Sequence, residues 1–524
     1  MRPSVFVMER QTYDSAVLLV HGIGEQKQGA TLDEFGGALV GAARDWLGVD
    51  SVEDLTLQTD PRDGPPQRRA VRVTRSEGEP LRLLLAESHW AGEVHAPSWR
   101  TLMAWLATTV PFLVQRAVDA GMRRSSRGID ATPRLPMSIA LLALRMVQNV
   151  FAVVLALAVV LGLFAVGLLA GAAPVRARLF GAAQANAGPS SIWARVRALL
   201  VGFVGDSYAL LHKDGPRSAI VDRVSTDLSR LEASAGDAPV VIIAHSQGAE
   251  IVRRVLAERA PGAAPVAGVV TFGAGIAKLH AVDLLRDQAA RSWRAFGLRW
   301  LSAVCVVLAA VVAGGWSSAA LPRFAVVAGL VALAAFALTA ARRELQQIVG
   351  VRFAPADLHV DERQVAHWTD LHASSDPVSE GDLPVAECTR GYSRTIVNRC
   401  SLVHDHVAYW RNAEGFMAAV ALEVARVADG HSNPTRPAAL AAAERARARA
   451  IAAIRPIRLG TSALVVGLWA GLQPSLLGGA AIAVAAAGLL VAISIALDAR
   501  AGAQTRALLH AHRQANRRRP AAAR

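Results

Sequence analysis

The chain has 524 residues, is 53% hydrophobic and only 19% charged, and carries a formal charge of +14. That composition excludes a disordered chain, and because the apolar excess collects in long runs it argues against a purely water-soluble enzyme. The basic balance comes without zinc-finger spacing, an RNA-binding aromatic motif or an uninterrupted basic helix, so nucleic acid is not an expected partner.

In chain order, the first predicted element is the strand Ser15–Val20, which ends at His21-Gly22-Ile23-Gly24-Glu25-Gln26. Gly22 and Gly24 let the backbone turn sharply there and aim its amides. A helix over Phe35–Leu47 follows, then strands at Ala70–Val73 and Leu81–Ala86. Val150–Ala173 holds no charge, and its roughly 36 Å of helix exceeds what a bilayer core requires. Arginines flank this run on both sides, so it needs a returning mate or must re-enter. Leu102–Val118 and Ile192–Val204 are the alternatives.

Past Asp206–Tyr208 and a helix over Ala219–Leu231, Pro239–Ala244 reads as a strand buried on both faces. It stops at His245-Ser246-Gln247-Gly248, and a helix opens at once over Ala249–Leu256. Strand, tight turn bearing serine, then helix is the geometry of a nucleophile elbow, with small residues Ala244 and Gly248 two positions to either side. A strand over Val266–Phe272 ends in Gly273-Ala274-Gly275. Two apolar runs, Trp300–Leu321 and Phe324–Ala341, are separated by Pro322 and Arg323 and predict a membrane hairpin. A strand over Val365–His372 leads to the turn Ser374–Ser379. Then come Arg394–Val397 and Ser401–Trp410. Leu459–Gln473 and Ser475–Leu497, broken at Pro474, predict a second hairpin.

The arginines support this membrane reading. Lysine occurs only at 27, 213 and 278, so nearly all of the 56 basic residues are arginine. Together with the wealth of Ala and Gly, this skew fits GC-rich bacterial coding. Arginines crowd beside apolar runs at Arg342–Arg343, Arg455, Arg458 and Arg517–Arg519, which suits anionic lipid and retention on the cytoplasmic side. Three cysteines, Cys305, Cys388 and Cys400, predict no disulfide framework and a reducing compartment. No cleavable signal peptide is visible before Gln11. The expected location is the bacterial inner membrane, with the catalytic body and both termini cytoplasmic and the lipid bilayer as partner.

Taken in order, HGIGEQ, AHSQGAEIV, TFGAG, SSDPVS and HDHVAYW resemble the α/β-hydrolase superfamily, in particular its lipase-like serine esterases. The resemblance covers about 1–100, 206–290 and 350–420. Ala244 departs from the usual G-x-S-x-G pattern, in which glycine stands first. The implied fold is α/β: a mostly parallel sheet with helices on both faces, interrupted by transmembrane helices and hairpins, with ligands at the carboxyl ends of the strands.

The expected division is a first part of the core at 1–100, a membrane-associated insertion at 101–205 and the core with the elbow at 206–298. A transmembrane hairpin at 299–343 then precedes the core with acid and histidine at 344–430. An Ala/Arg-rich helical linker at 431–456, a second hairpin at 457–498 and a basic tail at 499–524 complete the chain.

Serine needs a base to take its proton and a third group to orient that base. Ser246 is the expected nucleophile, although a serine opening a helix also suits an N-cap. His406 is the expected base, with His404 the alternative. Asp376, before a turn-fixing proline, is the expected acid, with Asp370 and Asp382 as rivals. Ser, Asp, His along the chain is the superfamily's order. The resemblance implies an oxyanion hole from the amide of Gln247 and that of Gly22 or Ile23, with His21 orienting that loop.

No cofactor or metal is expected. His89/His95 and His367/His372 lack helical ligand spacing, and no phosphate or dinucleotide loop is present. The expected function is a membrane-embedded serine hydrolase acting on lipid or lipophilic carboxylic esters. A non-catalytic scaffold on the same fold, or an acyltransferase or thioesterase with the same triad, are the alternatives. A transporter would need charges within the spans, which hold almost none.

Overall fold

The structure is a computed structural model. It describes residues 12–23, 27–46, 49–55, 68–75, 79–93, 97–107, 109, 145–146, 149–150, 153, 156, 205–211, 214–314, 320–345, 347–348, 360, 363–373, 376, 378–379, 383, 391–398, 404–430, 440–442, 444–445 and 448–449. Most of the expected span Val150–Ala173, its alternative mate Ile192–Val204, the second hairpin, the basic tail, Asp382 and Gly24–Gln26 lie outside the described residues.

Eight strands form one mixed sheet: β1 (Ser15–Val20), β2 (Val49–Leu55), β3 (Arg68–Arg75), β4 (Leu81–Ser88), β5 (Val240–His245), β6 (Gly268–Phe272), β7 (Trp368–Ala373) and β8 (Tyr392–Ile396). Their spatial order is β2-β3-β4-β1-β5-β6-β7-β8. From β4 to β8 every neighbouring pair is parallel, whereas β2–β3 and β3–β4 are antiparallel. The parallel strands therefore end along one edge, where open α/β sheets place their ligands.

The period of two along each strand divides the core into two layers. Ala16, Leu18 and Val20 of β1 face α2 (Asp214–Ala235) through Ile220, Val224 and Leu228, and α3 (Gln247–Ala257) through Ile251, Val252 and Val255. Val17 and Leu19 face the opposite way, toward Leu32, Phe35 and Leu39 of α1 (Ala30–Trp46) and Val420 and Val424 of α8 (Ala418–Ala428). With helices covering both faces, all six residues of β1 are buried, which is why the run reads as continuously apolar.

Strand β2 was not expected. Its VDSVEDL sequence carries acids because it is an edge strand, where charge discourages pairing with other chains. Glu53 stands opposite Arg72 in the ladder, and Asp54 accepts from Arg69.

Between β6 and β7 the chain runs through α4 (Ile276–Asp287), α5 (Ala289–Gly314) and α6 (Ala320–Leu345). Ala289–Ala313 and Phe324–Leu345 are long and apolar enough to cross a membrane. The expected break at Pro322–Arg323 is displaced: α6 already begins at Ala320. Proline is tolerated in a first turn because the missing amide would have no partner inside the helix. Small residues let the two helices approach closely, and Cys305 packs with Ala334 and Leu338, where Met146 joins them. Their other faces leave Val311, Phe324 and Phe336 65%, 75% and 69% exposed.

Candidate active site

Strand β5 is drawn straight into the centre of the sheet by its Val-Val-Ile-Ile run, and the chain must reverse at once to start α3. Ser246 takes that corner at φ 55° and ψ −119°, and among the described residues it alone has a positive φ without being glycine. Such a conformation costs about 1–3 kcal/mol and persists only where its surroundings hold it. Here they do: the Ser246 amide donates to the Phe272 carbonyl at 3.0 Å, and its own carbonyl accepts from Gly275 at 3.1 Å and Ala249 at 3.3 Å. A side chain at Gly248 would overlap the carbonyl oxygens of Val20 and His21. Ala244 is buried and packs in the α2–α3 layer, so the alanine that departs from the usual motif is accommodated.

The corner aims the serine away from the helix. Its Oγ makes no cap bond to α3 and instead lies 3.0 Å from His406 Nε2. His406 is not on a strand: it sits on the short helix α7 (His404–Val407), beyond β8. Asn398 braces that helix by donating to the Asp405 carbonyl. The other ring nitrogen, Nδ1, lies 3.1 Å from both carboxylate oxygens of Asp376, just past the end of β7. Three distant segments thus form one hydrogen-bonded line. The side chain of His404 lies outside the described residues.

Asp376 is 1% exposed. Burial alone would push its carboxyl up, but the hydrogen bond and charge of His406, the Tyr409 hydroxyl and the Val378 amide overcome this and hold it down at about 2. The Tyr409 hydroxyl donates to Asp376 Oδ2 at 2.7 Å and accepts from the Ala373 amide at 2.7 Å. Burial pushes that phenol well above its ordinary range, so it remains a donor. Gly273, at φ 54°, lies beneath this group; a Cβ there would come within 2.9 Å of Asp376 Oδ2 and 3.1 Å of His406 Nδ1.

The rival acid Asp370 is committed elsewhere. It lies inside β7 and accepts from Thr271 at 2.8 Å and Ser393 at 2.9 Å, with His372 3.4 Å away.

The loop after β1 closes the other side. A Cβ on Gly22 would stand 2.7 Å from that of Ser246, so only glycine fits; half-buried Ile23 follows. His21 holds the loop from behind: its Nδ1 donates to the Gly22 carbonyl at 2.8 Å and its ring stacks on Trp90 at 4.8 Å, while Trp90 Nε1 donates to the His21 carbonyl. Gln247 begins α3, so its amide has no acceptor within the helix. Its side chain donates to the Asp206 carbonyl at 3.0 Å and accepts from Ser207 at 3.1 Å.

Three contributors had no assigned role in the sequence: Tyr409, Trp90 and His245. His245 Nε2 lies 3.0 Å from the His406 carbonyl, and its ring stacks on Phe272. Its position directly before Ser246 was the available signal. Burial, reinforced by the neighbouring His406, pushes His245 down to about 3, and burial pushes His21 down to about 4.

Both histidines stay neutral in the fold, whereas the unfolded chain takes up protons below about pH 6.5. Stability contributed by this difference is complete above pH 6.5 and is lost as the pH falls toward 4 for His21 and toward 3 for His245. For His21 alone this amounts to roughly 3 kcal/mol. We expect the melting temperature to fall over that window, and His21→Asn, which keeps a donor without titrating, to flatten the slope. An unchanged slope in the variant would refute the assignment.

Among the described residues, no group of three or more His, Cys, Asp or Glu is arranged to hold a metal ion. No family model, curated protein or solved structure matches the chain.

Proposed function

We propose that this chain is a membrane-embedded serine hydrolase on an α/β-hydrolase-type fold, cleaving lipid or lipophilic carboxylic esters through an acyl-serine. The observation that carries the reading is the unbroken line from Ser246 Oγ through His406 to Asp376, set at a strained corner on the edge where six parallel-paired strands end.

In the first step, Oγ attacks the ester carbonyl carbon while His406 Nε2 takes its proton. The carbonyl oxygen becomes an oxyanion held by the amide of Gln247 and that of Gly22 or Ile23. Collapse breaks the bond to the alcohol, which leaves with the proton from His406. Water then attacks the acyl-serine by the same route and releases the acid. Asp376 remains ionised throughout and fixes His406 with its Nδ1 protonated, leaving Nε2 free to accept. The two apolar helices support placement at a bilayer.

The test is activity-based labelling of membranes containing the full chain. A fluorophosphonate is expected to label it, with the added mass on the peptide containing Ser246. Absence of labelling would leave a non-catalytic scaffold on the same fold as the better account.

A further inference from the structure

A cavity of about 490 Å³ lies between the helical stretch 99–107, residues 205–211 and the junction of α4 with α5. Its volume is within the ~300–1,000 Å³ range of small-molecule sites. Trp105, Tyr208, Val282, Leu285 and Trp293 line it, and Trp105 meets Tyr208 edge-on at 5.9 Å. Arg286 and Asp287 are the charged groups on its wall, and Arg286 is tethered to the Leu211 carbonyl.

Two observations say what belongs there. First, the cavity continues onto a surface suited to hydrocarbon. Trp293, 46% exposed, stands at its edge on the opening turns of α5. From it a stripe of exposed Leu301, Val304, Leu308 and Val311 runs up the same helix face. Tryptophan at the foot of a spanning helix marks the level of the lipid headgroups. Second, the cavity wall is joined to the elbow. Tyr208 shares its helix with Asp206 and Ser207, which hold the Gln247 side chain. Val282 belongs to α4, whose preceding Gly275 donates to the Ser246 carbonyl, and Leu279 of the same helix packs in both the cavity cluster and the sheet core.

We infer that this cavity takes one aliphatic chain of a bilayer lipid, entering sideways past Trp293, and that the hydrolase substrate is a long-chain lipid ester rather than a soluble one. The second half rests on the hydrolase reading; occupancy of the cavity does not.

The test uses the full chain in phosphatidylcholine vesicles containing a phosphatidylcholine with a diazirine midway along one acyl chain. After irradiation, adducts are expected on Trp105, Tyr208 or Val282, besides those on the exposed stripe. Val282→Trp, which fills the cavity, is expected to lower the cavity adducts at least about tenfold relative to the stripe, because even single methylenes in apolar pockets carry ~10-fold effects. Leu285→Trp gives a second filling in case the first disturbs folding, with a retained thermal transition as the criterion. In ester assays the filled variants should lose at least about tenfold more kcat/KM for p-nitrophenyl palmitate than for the acetate.

Adducts confined to the stripe, or unaffected by either filling, would overturn the lipid-chain site even if esters are hydrolysed. Equal losses on the two esters would overturn its link to the substrate. Cavity adducts in a protein that no fluorophosphonate labels would sustain the lipid site while removing the hydrolase reading.

Discussion

Alanine at position 246 is expected to lower kcat for ester hydrolysis by about 10⁶-fold and to abolish fluorophosphonate labelling. Serine contributes nothing without a proton acceptor, and the acceptor nothing without the hydroxyl 3.0 Å away. His406→Ala should therefore cost nearly as much, and the double variant no more than either single one, because groups that act as a unit are not additive. Steady-state kinetics on the three variants check this. A loss of only about tenfold in His406→Ala, small against the ~10²–10⁴-fold worth of general base catalysis, would show that another group activates Ser246.

Asp376→Asn is expected to lower kcat by about 10⁴-fold while leaving the fold intact. The reason lies in the tautomer. An ionised carboxylate can only accept, so it keeps the proton on His406 Nδ1. An amide presents its NH₂ group there as readily as its oxygen, because the Val378 and Ser379 amides already claim the acceptor oxygen. The imidazole then turns its proton toward Ser246 and cannot take another. The same substitution should be visible in acid. The wild-type carboxyl, held at about 2 against an ordinary 3.8, contributes stability that is complete above about pH 4 and is lost as pH falls toward 2. That loss, about 2 kcal/mol, should be missing from the asparagine variant. Comparing kcat with unfolding free energy between pH 5 and pH 2 separates the two effects. A variant retaining most of its rate would place the orienting acid elsewhere.

Much of the central sheet was legible because strands buried on both faces leave continuous apolar runs that stop at turns. Ser15–Val20 matches β1 residue for residue, and the elbow was visible as strand, small residues and helix in immediate succession. The edge was not, since the acids of β2 break the apolar pattern and stand opposite arginines of a strand that sequence alone does not reveal as its neighbour.

The site residues divide along the same line. His404 and His406 both stood near the expected place, but residues two apart on a helix diverge by about 200°, so the choice depends on how α7 is set down. Asp370 and Asp376 differ in which side of a strand end they occupy: Ala373 closes β7, and only a residue beyond it reaches over the edge toward His406. Tyr409 and His245 touch their partners through folding contacts that leave no periodic trace in the chain.

Along the chain, α5 and α6 lie between Ser246 and both Asp376 and His406. A ribosome emitting the chain at ~5–20 residues per second therefore displays Ser246 first, then both greasy helices, and only afterwards Asp376 and His406. If Ser246 is the proposed nucleophile, the nascent polypeptide holds it inert until both apolar helices are already outside the exit tunnel. On the proposed hydrolase reading, no truncation from the carboxyl end yields a working catalyst without α5 and α6, because any cut that deletes them also discards His406 and Asp376.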